Sequence, residues 1–181
     1  MNVIHARVGL QQRVLPEYRV EFFDRLATAC LQGLSVFAGS PRADEAVETA
    51  HNLSIAHYSR AVNLHFFQGQ AYMYWQMGLL PWLYRWQPRA LIMETSLRNL
   101  SNASAARWMH LRRRPVIGWG LGLQAGNVIS RMMLRHYLRS FDAVIAYSQN
   151  GAQQYVQLGM PAEKVFVAPN AVAPRPATPP L

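Results

Sequence analysis

Short apolar segments alternate with longer segments of helical periodicity along almost the whole chain. Several of the short segments are continuous apolar runs, which is typical of strands in a sheet that helices cover on both faces. The strand-like segments are 2–9, 34–40, 61–67, 90–96, 115–120, 142–148 and 164–170, and the helical ones are 18–33, 71–87, 103–114, 127–141 and 150–159. This alternation predicts an α/β fold with a doubly wound, Rossmann-like parallel sheet.

A change in composition marks the end of the predicted domain. The last strand-like segment runs into Pro-Asn, and the remainder reads "AVAPRPATPPL". Proline-rich segments of this kind favour extended linkers over packed structure. The sequence therefore predicts one domain over residues 1–169, followed by a Pro-rich linker stub over 170–181.

The charge of the chain favours acidic partners. The formal net charge is +9, and Lys164 is the one lysine among 18 Lys and Arg residues. Arginine binds phosphate in a bidentate manner, so its excess suits a nucleotide, a nucleic acid or an anionic lipid. A genomic bias towards Arg codons explains the excess equally well. Nucleic acid is the least favoured partner, because the basic residues are dispersed and no known binding module is recognisable.

Several classes of protein lack their sequence signatures here. Cys30 is the only cysteine, which excludes an internal disulfide and agrees with a reducing compartment. The N-terminus shows no secretory signal, and no run of about 18 apolar residues could span a bilayer. We therefore expect a cytoplasmic protein.

Metal and cofactor motifs are also missing. The histidines show no metal-ligand spacing, and neither Asp-x-Asp nor Gly-x-Ser-x-Gly occurs. The first strand is followed by "GLQQRVLPEYR" in place of the Gly-x-Gly-x-x-Gly of dinucleotide-binding proteins. The sequence therefore predicts no metal site and no cofactor.

The candidate site follows from where such sheets bind their ligands, at the carboxyl ends of the strands. Gln11, Arg13 and Arg19 are predicted in the first of these loops, where they suit a polyhydroxylated or phosphorylated ligand. A solvated turn is the alternative. The fifth predicted strand leads into Trp119, Gly120 and Gly122, where the glycines permit close approach and the indole could stack on a sugar ring. Trp119 could equally be a core residue.

Glu94 ends the strand-like segment 90–96 at the same predicted edge of the sheet. A carboxylate in this position could accept a proton from a ligand or hold one of its hydroxyl groups. It could also cap the following helix or form an ion pair with Arg98. The structural interpretation is the favoured one, which leaves Glu94 as a weak catalytic candidate.

Two helical segments could contact a membrane. Segment 71–87, which Pro81 should interrupt, carries Trp75, Leu79, Trp82 and Trp86 at helical spacing. A core helix explains this pattern as well. Arg131, Arg135 and Arg139 repeat along one side of segment 127–141, opposite the apolar residues Ile129, Met133 and Tyr137. A solvated face is the usual meaning of such a pattern, and contact with anionic lipid is the second hypothesis.

Several motifs, taken in their order, resemble the N-terminal half of glycosyltransferase family 4. They are "QRVLPEYRVEFFDRLA", "ALIMETSLRNLS", "RRRPVIGWGLG" and "FDAVIAYSQNGAQQYVQLGMPAEKVFVAPNAV", which together cover nearly the whole chain. The family consists of retaining enzymes of the two-domain GT-B fold. The chain differs from it in carrying Leu121 where many relatives have a histidine, and Asn170-Ala171-Val172-Ala173 where they have Asn-Gly-Val-Asp.

The resemblance implies a division of labour between two domains. In the family the N-terminal domain holds the acceptor and the C-terminal domain binds the nucleotide sugar. The resemblance thus implies that Gln11, Arg13, Arg19, Arg98, Trp119, Gly120 and Gly122 contact a sugar or lipid-linked acceptor. Ser148 and Asn170 would face the cleft between the domains, and 170–181 would be the start of the interdomain linker. The implied reaction belongs to polysaccharide or cell-envelope glycan synthesis, and the chain alone should be inactive.

A second hypothesis is a non-catalytic binding or scaffold domain. Such a domain would pair with a separate donor-binding chain, or attach peripherally to an anionic membrane at its inner face. Apolar surface left open by an absent domain could also drive homodimerisation.

Overall fold

The computed structural model describes residues 3–123 and 128–169. Its regular elements, in chain order, are β1 Val8–Val14, α1 Val20–Ala29, β2 Leu34–Gly39, β3 His57–Arg60, β4 Val62–Phe66, β5 Met73–Met77, α2 Leu79–Trp86, β6 Ala90–Glu94, α3 Asn102–His110, β7 Val116–Gly120, α4 Val128–Leu138, β8 Ala143–Ala146, α5 Gln149–Gln157 and β9 Val165–Val167. The alternation of strands and helices that the sequence predicts is confirmed.

The main sheet has seven strands in the order β3-β2-β1-β6-β7-β8-β9, and every neighbouring pair is parallel. From β1 the chain builds outwards to β2 and β3, and it then returns to place β6 on the other side of β1. The strand order therefore reverses between β1 and β6, which is where doubly wound sheets open a crevice at their carboxyl edge.

Apolar side chains leave both faces of the sheet and form two cores. Every residue of β2 is buried, which explains its continuous apolar sequence. On one face Val36 packs in a cluster with Phe23 of α1. On the other face Phe37 stacks on Trp82 of α2, with the ring centroids 5.1 Å apart. The indole N–H of Trp82 donates a hydrogen bond to Ser35 Oγ at 2.9 Å, so this large side chain is fully paired inside the core.

Two of the predicted elements are wrong in detail. The first strand was expected at 2–9, but β1 begins at Val8 and continues to Val14, so Gln11 and Arg13 lie on a strand and not in a loop. The segment 71–87 was expected to be one helix, but its first part is β5 and only Leu79–Trp86 is helical. Pro81 lies in the first turn of α2, where its missing N–H costs no hydrogen bond.

The two segments considered for membrane contact, 71–87 and 127–141, differ in how far their side chains are exposed. Leu79 and Trp82 are buried in the core, whereas Trp75 lies on β5 and is 39% exposed. Arg131, Arg135 and Arg139 are exposed along α4, and Met133, expected on the apolar face of that helix, is exposed as well. No helix within the described residues combines the length and the apolar character needed to cross a bilayer.

Strands β4 and β5 form a separate antiparallel hairpin beside the main sheet. Asn63 of β4 donates hydrogen bonds to the carbonyl groups of Arg13 and Ser40, each at 2.8 Å. The hairpin is therefore attached at the carboxyl ends of β1 and β2, next to the crevice.

Candidate functional site

A cleft opens at the carboxyl ends of β1, β6, β7 and β8. The cavity has a volume of about 590 Å³. It is lined by residues that the sequence had singled out, namely Arg13, Arg19, Glu94, Arg98, Trp119, Gly120 and Gly122. The strand order explains this convergence, because residues distant in sequence meet where neighbouring parallel strands end.

Arg19 is the central cation of the cleft. It is only 8% exposed, and its guanidinium carbon lies 5.0 Å from the ring centroid of Trp119 and 5.4 Å from that of Tyr147. The Tyr18 ring is at 5.5 Å, and Arg19 Nη2 donates a hydrogen bond to the Tyr147 hydroxyl at 3.1 Å. Aromatic faces stabilise a cation that is removed from water. The cleft thus has a fixed positive charge within aromatic walls.

Two buried polar groups on the wall of the cleft have no hydrogen-bond partner within the described part of the chain. They are the side-chain amide of Gln12 and the indole N–H of Trp119. Gln12 is 1% exposed, and an unpaired amide at this depth costs free energy unless a ligand or water satisfies it. Gln12 is not among the predicted site residues. It was missed because the first strand was expected to end at Gly9, before Gln12.

Gln11 does not line the cleft. Its side chain is fully buried, where its amide nitrogen donates to Gln76 Oε1 and its oxygen accepts a hydrogen bond from the backbone N–H of Glu94 at 3.2 Å. Gln11 therefore links the end of β6 to the hairpin. It supports the wall of the cleft from inside the protein.

Glu94 lies at the end of β6, between the cleft and a second chamber. The Tyr74 hydroxyl donates to its Oε2 at 3.2 Å. Burial raises the pKa of Glu94, although the hydrogen bonds that the carboxylate receives and the charges of Arg13 and Arg19 oppose this shift. Glu94 and Arg98 form no ion pair in the described structure, and the helix that follows has Ser101 as its N-cap. A buried carboxyl group at the wall of a cleft can hold a ligand hydroxyl by a hydrogen bond.

The second chamber adjoins the cleft and has a volume of about 310 Å³. Arg13, Glu94 and Arg98 line both cavities. The chamber adds Arg42, whose guanidinium carbon lies 4.7 Å from the centroid of the Tyr72 ring, with Arg98 at 5.8 Å from the same ring. Arg42 and Tyr72 were not predicted. Arg42 lies in the loop after β2, and Tyr72 lies in the segment 71–87 that was expected to be helical.

Acidic side chains hold two of these arginines in place. Arg13 Nη1 lies 2.6 Å from Glu45 Oε2, and Arg42 Nε lies 3.4 Å from Glu45 Oε1 and 3.2 Å from Asp44 Oδ1. The backbone N–H of Arg42 and these cations outweigh burial and keep the pKa of Glu45 low. The arginine side chains are thereby oriented before any ligand binds.

The loop after β7 forms the far wall. A Cβ added to Gly120 would collide with Thr95 Oγ1, and Gly122 has a positive φ of +131°. Both positions require glycine because of close approach or backbone conformation. Leu121 between them lines the cleft and is 75% exposed, so an apolar side chain stands where many relatives have a histidine.

The remaining predicted residues lie outside the cleft wall. Ser148 follows β8 and caps α5 by accepting a hydrogen bond from the Gly151 N–H at 3.1 Å. It is at the expected edge of the sheet but does not line the cavity. Asn170 and the predicted linker 170–181 lie outside the described residues.

Metal-binding side chains do not converge in the part of the chain that the structure describes. No group of three or more His, Cys, Asp or Glu side chains there could hold an ion. The chemistry available to the cleft is that of arginine charges, aromatic faces, unpaired amide and indole groups, and one carboxyl group with a raised pKa.

Solved proteins with a similar fold include HepE, a UDP-GlcNAc 2-epimerase and a galactosyltransferase. HepE from Anabaena, solved with UDP-glucose, superposes with a TM-score of 0.55 at 11% identity, over 92% of this chain and 44% of its own. The UDP-GlcNAc 2-epimerase of Neisseria meningitidis gives 0.51 at 12% identity, over 92% and 46%. The lipopolysaccharide outer core galactosyltransferase WaaB gives 0.51 at 13% identity, over 91% and 45%.

The chain spans less than half the length of these proteins, and the match corresponds to the N-terminal half of the GT-B fold. No curated protein matches the sequence significantly. The model of the family described as Glycosyltransferase Family 4 matches residues 32–175, which is most of the chain. The chain therefore belongs to glycosyltransferase family 4.

Proposed function

We propose that this chain is the acceptor-binding lobe of a retaining glycosyltransferase that uses a nucleotide-sugar donor. The cleft at the reversal of strand order carries the proposal, because its buried wall offers the unpaired Gln12 amide and Trp119 N–H beside the enclosed Arg19 cation. A saccharide supplies hydroxyl groups that can pair with the first two. An acceptor phosphate or pyrophosphate would pair with the arginines.

Residues 1–169 form this lobe in our proposal, and 170–181 lead towards a donor-binding domain. Two observations support the division. The chain covers 44% of HepE, a protein solved with UDP-glucose, and 45% of the galactosyltransferase WaaB. The donor diphosphate needs its charge stabilised as it leaves, and the second domain would supply those contacts. The product would enter polysaccharide or cell-envelope glycan synthesis.

Glu94 has a positional part in this reaction. Its carboxyl group accepts a hydrogen bond from Tyr74 and faces both cavities, so it can bind the hydroxyl of the acceptor that attacks the donor sugar. Binding that hydroxyl orients it and favours the reacting conformation. Since burial raises the pKa of this group, the fraction that is protonated near neutral pH is larger than for an exposed glutamate.

Binding by the purified 181-residue chain tests the proposal. Glucose 6-phosphate serves as the probe, since it combines hydroxyl groups with a phosphate. The signal is the change in fluorescence of the five tryptophans, of which Trp119 lines the cleft. We expect saturable binding that Gln12→Leu weakens about tenfold, as the loss of one buried hydrogen-bonding group would. The matched control is Gln157→Leu on the exposed side of α5, which should bind as the wild type does.

Activity gives the complementary test. The chain alone, incubated with UDP-glucose and octyl glucoside, should transfer no sugar. Measurable turnover would contradict the division between two domains. Absence of saccharide binding, or UDP-glucose binding that Gln12→Leu abolishes, would contradict the acceptor role.

The exposed Leu121 favours the second candidate, a non-catalytic lobe that pairs with a separate donor-binding chain. This candidate predicts that Leu121→His does not change sugar transfer by the lobe and its donor-binding chain together.

A further inference from the structure

The β4–β5 hairpin presents an apolar face to the outside. Its cross-strand register pairs apolar residues with apolar residues at every second position. The exposed fractions of these side chains run from 37% to 57%. The pairs are Val62 with Met77, Leu64 with Trp75, and Phe66 with Met73, and Phe67, which follows β4, is 72% exposed. These seven residues are called the hairpin face below.

Polar side chains occupy the opposite, inward side of the hairpin. Gln76 is 1% exposed and donates to the backbone carbonyl of Gln12 and to Asn63 Oδ1, each at 3.0 Å. Tyr74 is equally buried, and its hydroxyl bonds to Glu94. A rotation that buried the hairpin face would break these buried hydrogen bonds, so the apolar side chains have no site within the described chain to occupy.

An exposed contiguous apolar surface with a defined register marks a site of interaction. The charge around it selects the occupant. Arg60, which is exposed, ends β3 two positions before the hairpin, and the hairpin segment 62–77 contains no aspartate or glutamate.

Two copies of a chain with a net charge of +9 would repel one another across such a face. An anionic lipid surface offers the opposite charge and an apolar interior below it. We infer that the hairpin face inserts into the interfacial layer of an anionic membrane, with the adjacent Arg60 on a lipid phosphate. Trp75 at the centre of the face suits this layer, since indole rings concentrate there. The inference does not depend on the reaction proposed above, although the inward Tyr72 and Tyr74 line the second chamber and would bring it close to the lipid.

Vesicle co-sedimentation tests this inference directly. The 181-residue chain is mixed with vesicles of phosphatidylcholine alone, or of phosphatidylcholine with phosphatidylglycerol, at low and high salt. We expect binding to the anionic vesicles that weakens with salt. The double variant Leu64→Ser/Phe66→Ser should bind at least tenfold more weakly, because it removes two side chains from the inserted face. Its circular dichroism should match that of the wild type, since both side chains point outwards.

Phe166→Ser is the matched control. Phe166 is 56% exposed on β9, at the opposite edge of the sheet from the hairpin, so this variant should bind as the wild type does. Brominated acyl chains give a second measurement: they should quench the tryptophan fluorescence of the wild type, and Trp75→Phe should lose most of that quenching.

Three results would overturn the inference. Unchanged binding by the double variant would show that arginines alone attach the protein. Equal binding to both kinds of vesicle would show that binding does not require anionic lipid. No binding to vesicles, with a dimer in sedimentation velocity that the double variant dissociates, would assign the hairpin face to a second copy of the chain.

Discussion

Asp24 provides a quantitative test of how the first helix holds the edge of the sheet. It lies in α1 and is 9% exposed. Its Oδ2 accepts a hydrogen bond from the backbone N–H of Ser54 at 2.9 Å, and its Oδ1 accepts from Ile55 at 2.8 Å and Ala56 at 3.0 Å. One carboxylate thus satisfies three consecutive N–H groups just before β3. Burial disfavours its charge, but the three donors outweigh burial and hold the pKa below its ordinary value.

The cost of losing these bonds follows from their number and exposure. Asp24→Asn keeps one oxygen for Ile55 and Ala56 but turns a donor towards the Ser54 N–H. A hydrogen bond to a charged group contributes about 1.5–3 kcal/mol and a neutral one about 1 kcal/mol, so the variant should lose about 2 kcal/mol. Asp24→Ala removes both acceptor oxygens and all three hydrogen bonds, and it should lose about 4 kcal/mol, because the Ala56 N–H remains buried. For a chain of this size these losses lower Tm by roughly 4–8 °C and 8–16 °C.

Denaturant unfolding monitored by tryptophan fluorescence measures both variants. The pH dependence has a defined sign, since a carboxylate with a lowered pKa stabilises the native state above its unfolded pKa and ceases to do so as the pH falls through the folded value. The difference between wild type and Asp24→Asn should therefore be largest near neutral pH and shrink in acid. Glu21→Gln on the same helix is the control. Its ion pair with Arg25 is exposed, so the change should cost about 0.5 kcal/mol or less. A loss of that small size for Asp24→Asn, or one that grows in acid, would refute the reasoning.

Three further predictions concern the cleft. Burial raises the pKa of Glu94, so its ionisation destabilises the native state as the pH rises; Glu94→Gln should have the higher Tm at about pH 8 and yet bind saccharide more weakly. Gly120→Ala should cost about 1–3 kcal/mol in urea unfolding, because the new methyl group meets Thr95 Oγ1. Tyr155→Phe removes the 2.6 Å hydrogen bond to Thr95 Oγ1 and should cost about 1–2 kcal/mol, seen as a lower denaturation midpoint with an unchanged m-value.

The parallel sheet could be predicted because its central strands are buried on both faces. Leu34–Gly39 and Val116–Gly120 therefore appear as short apolar runs, and the helices between them carry an apolar stripe. Strand β3 was not predicted. It is an edge strand with the sequence His-Tyr-Ser-Arg, and edge strands need no apolar run because solvent reaches them.

The site was predicted in part for a related reason. Arg19, Glu94 and Trp119 follow or end apolar strands, so the strand ends indicated them. The roles of Gln11 and Gln12 depend on their being inside β1, and a pair of glutamines is an unusual continuation for a buried strand. Sequence periodicity cannot show that a partner such as Gln76, 65 positions away, pairs with Gln11.

The pairing with Gln76 also explains why the tryptophan spacing wrongly predicted a helix where the hairpin lies. Trp75, Leu79, Trp82 and Trp86 have helical spacing, yet the first belongs to β5 and the others to α2. The hairpin is attached through Gln76, whose amide also accepts from Asn99 Nδ2 at 3.2 Å, so hydrogen bonds perform the docking that apolar side chains usually perform. A strand attached by its polar side leaves its apolar side facing outwards. The buried glutamines of β1 and the exposed tryptophan of β5 are therefore two consequences of one arrangement, and replacing Gln76 should disturb the cleft wall and the hairpin face together.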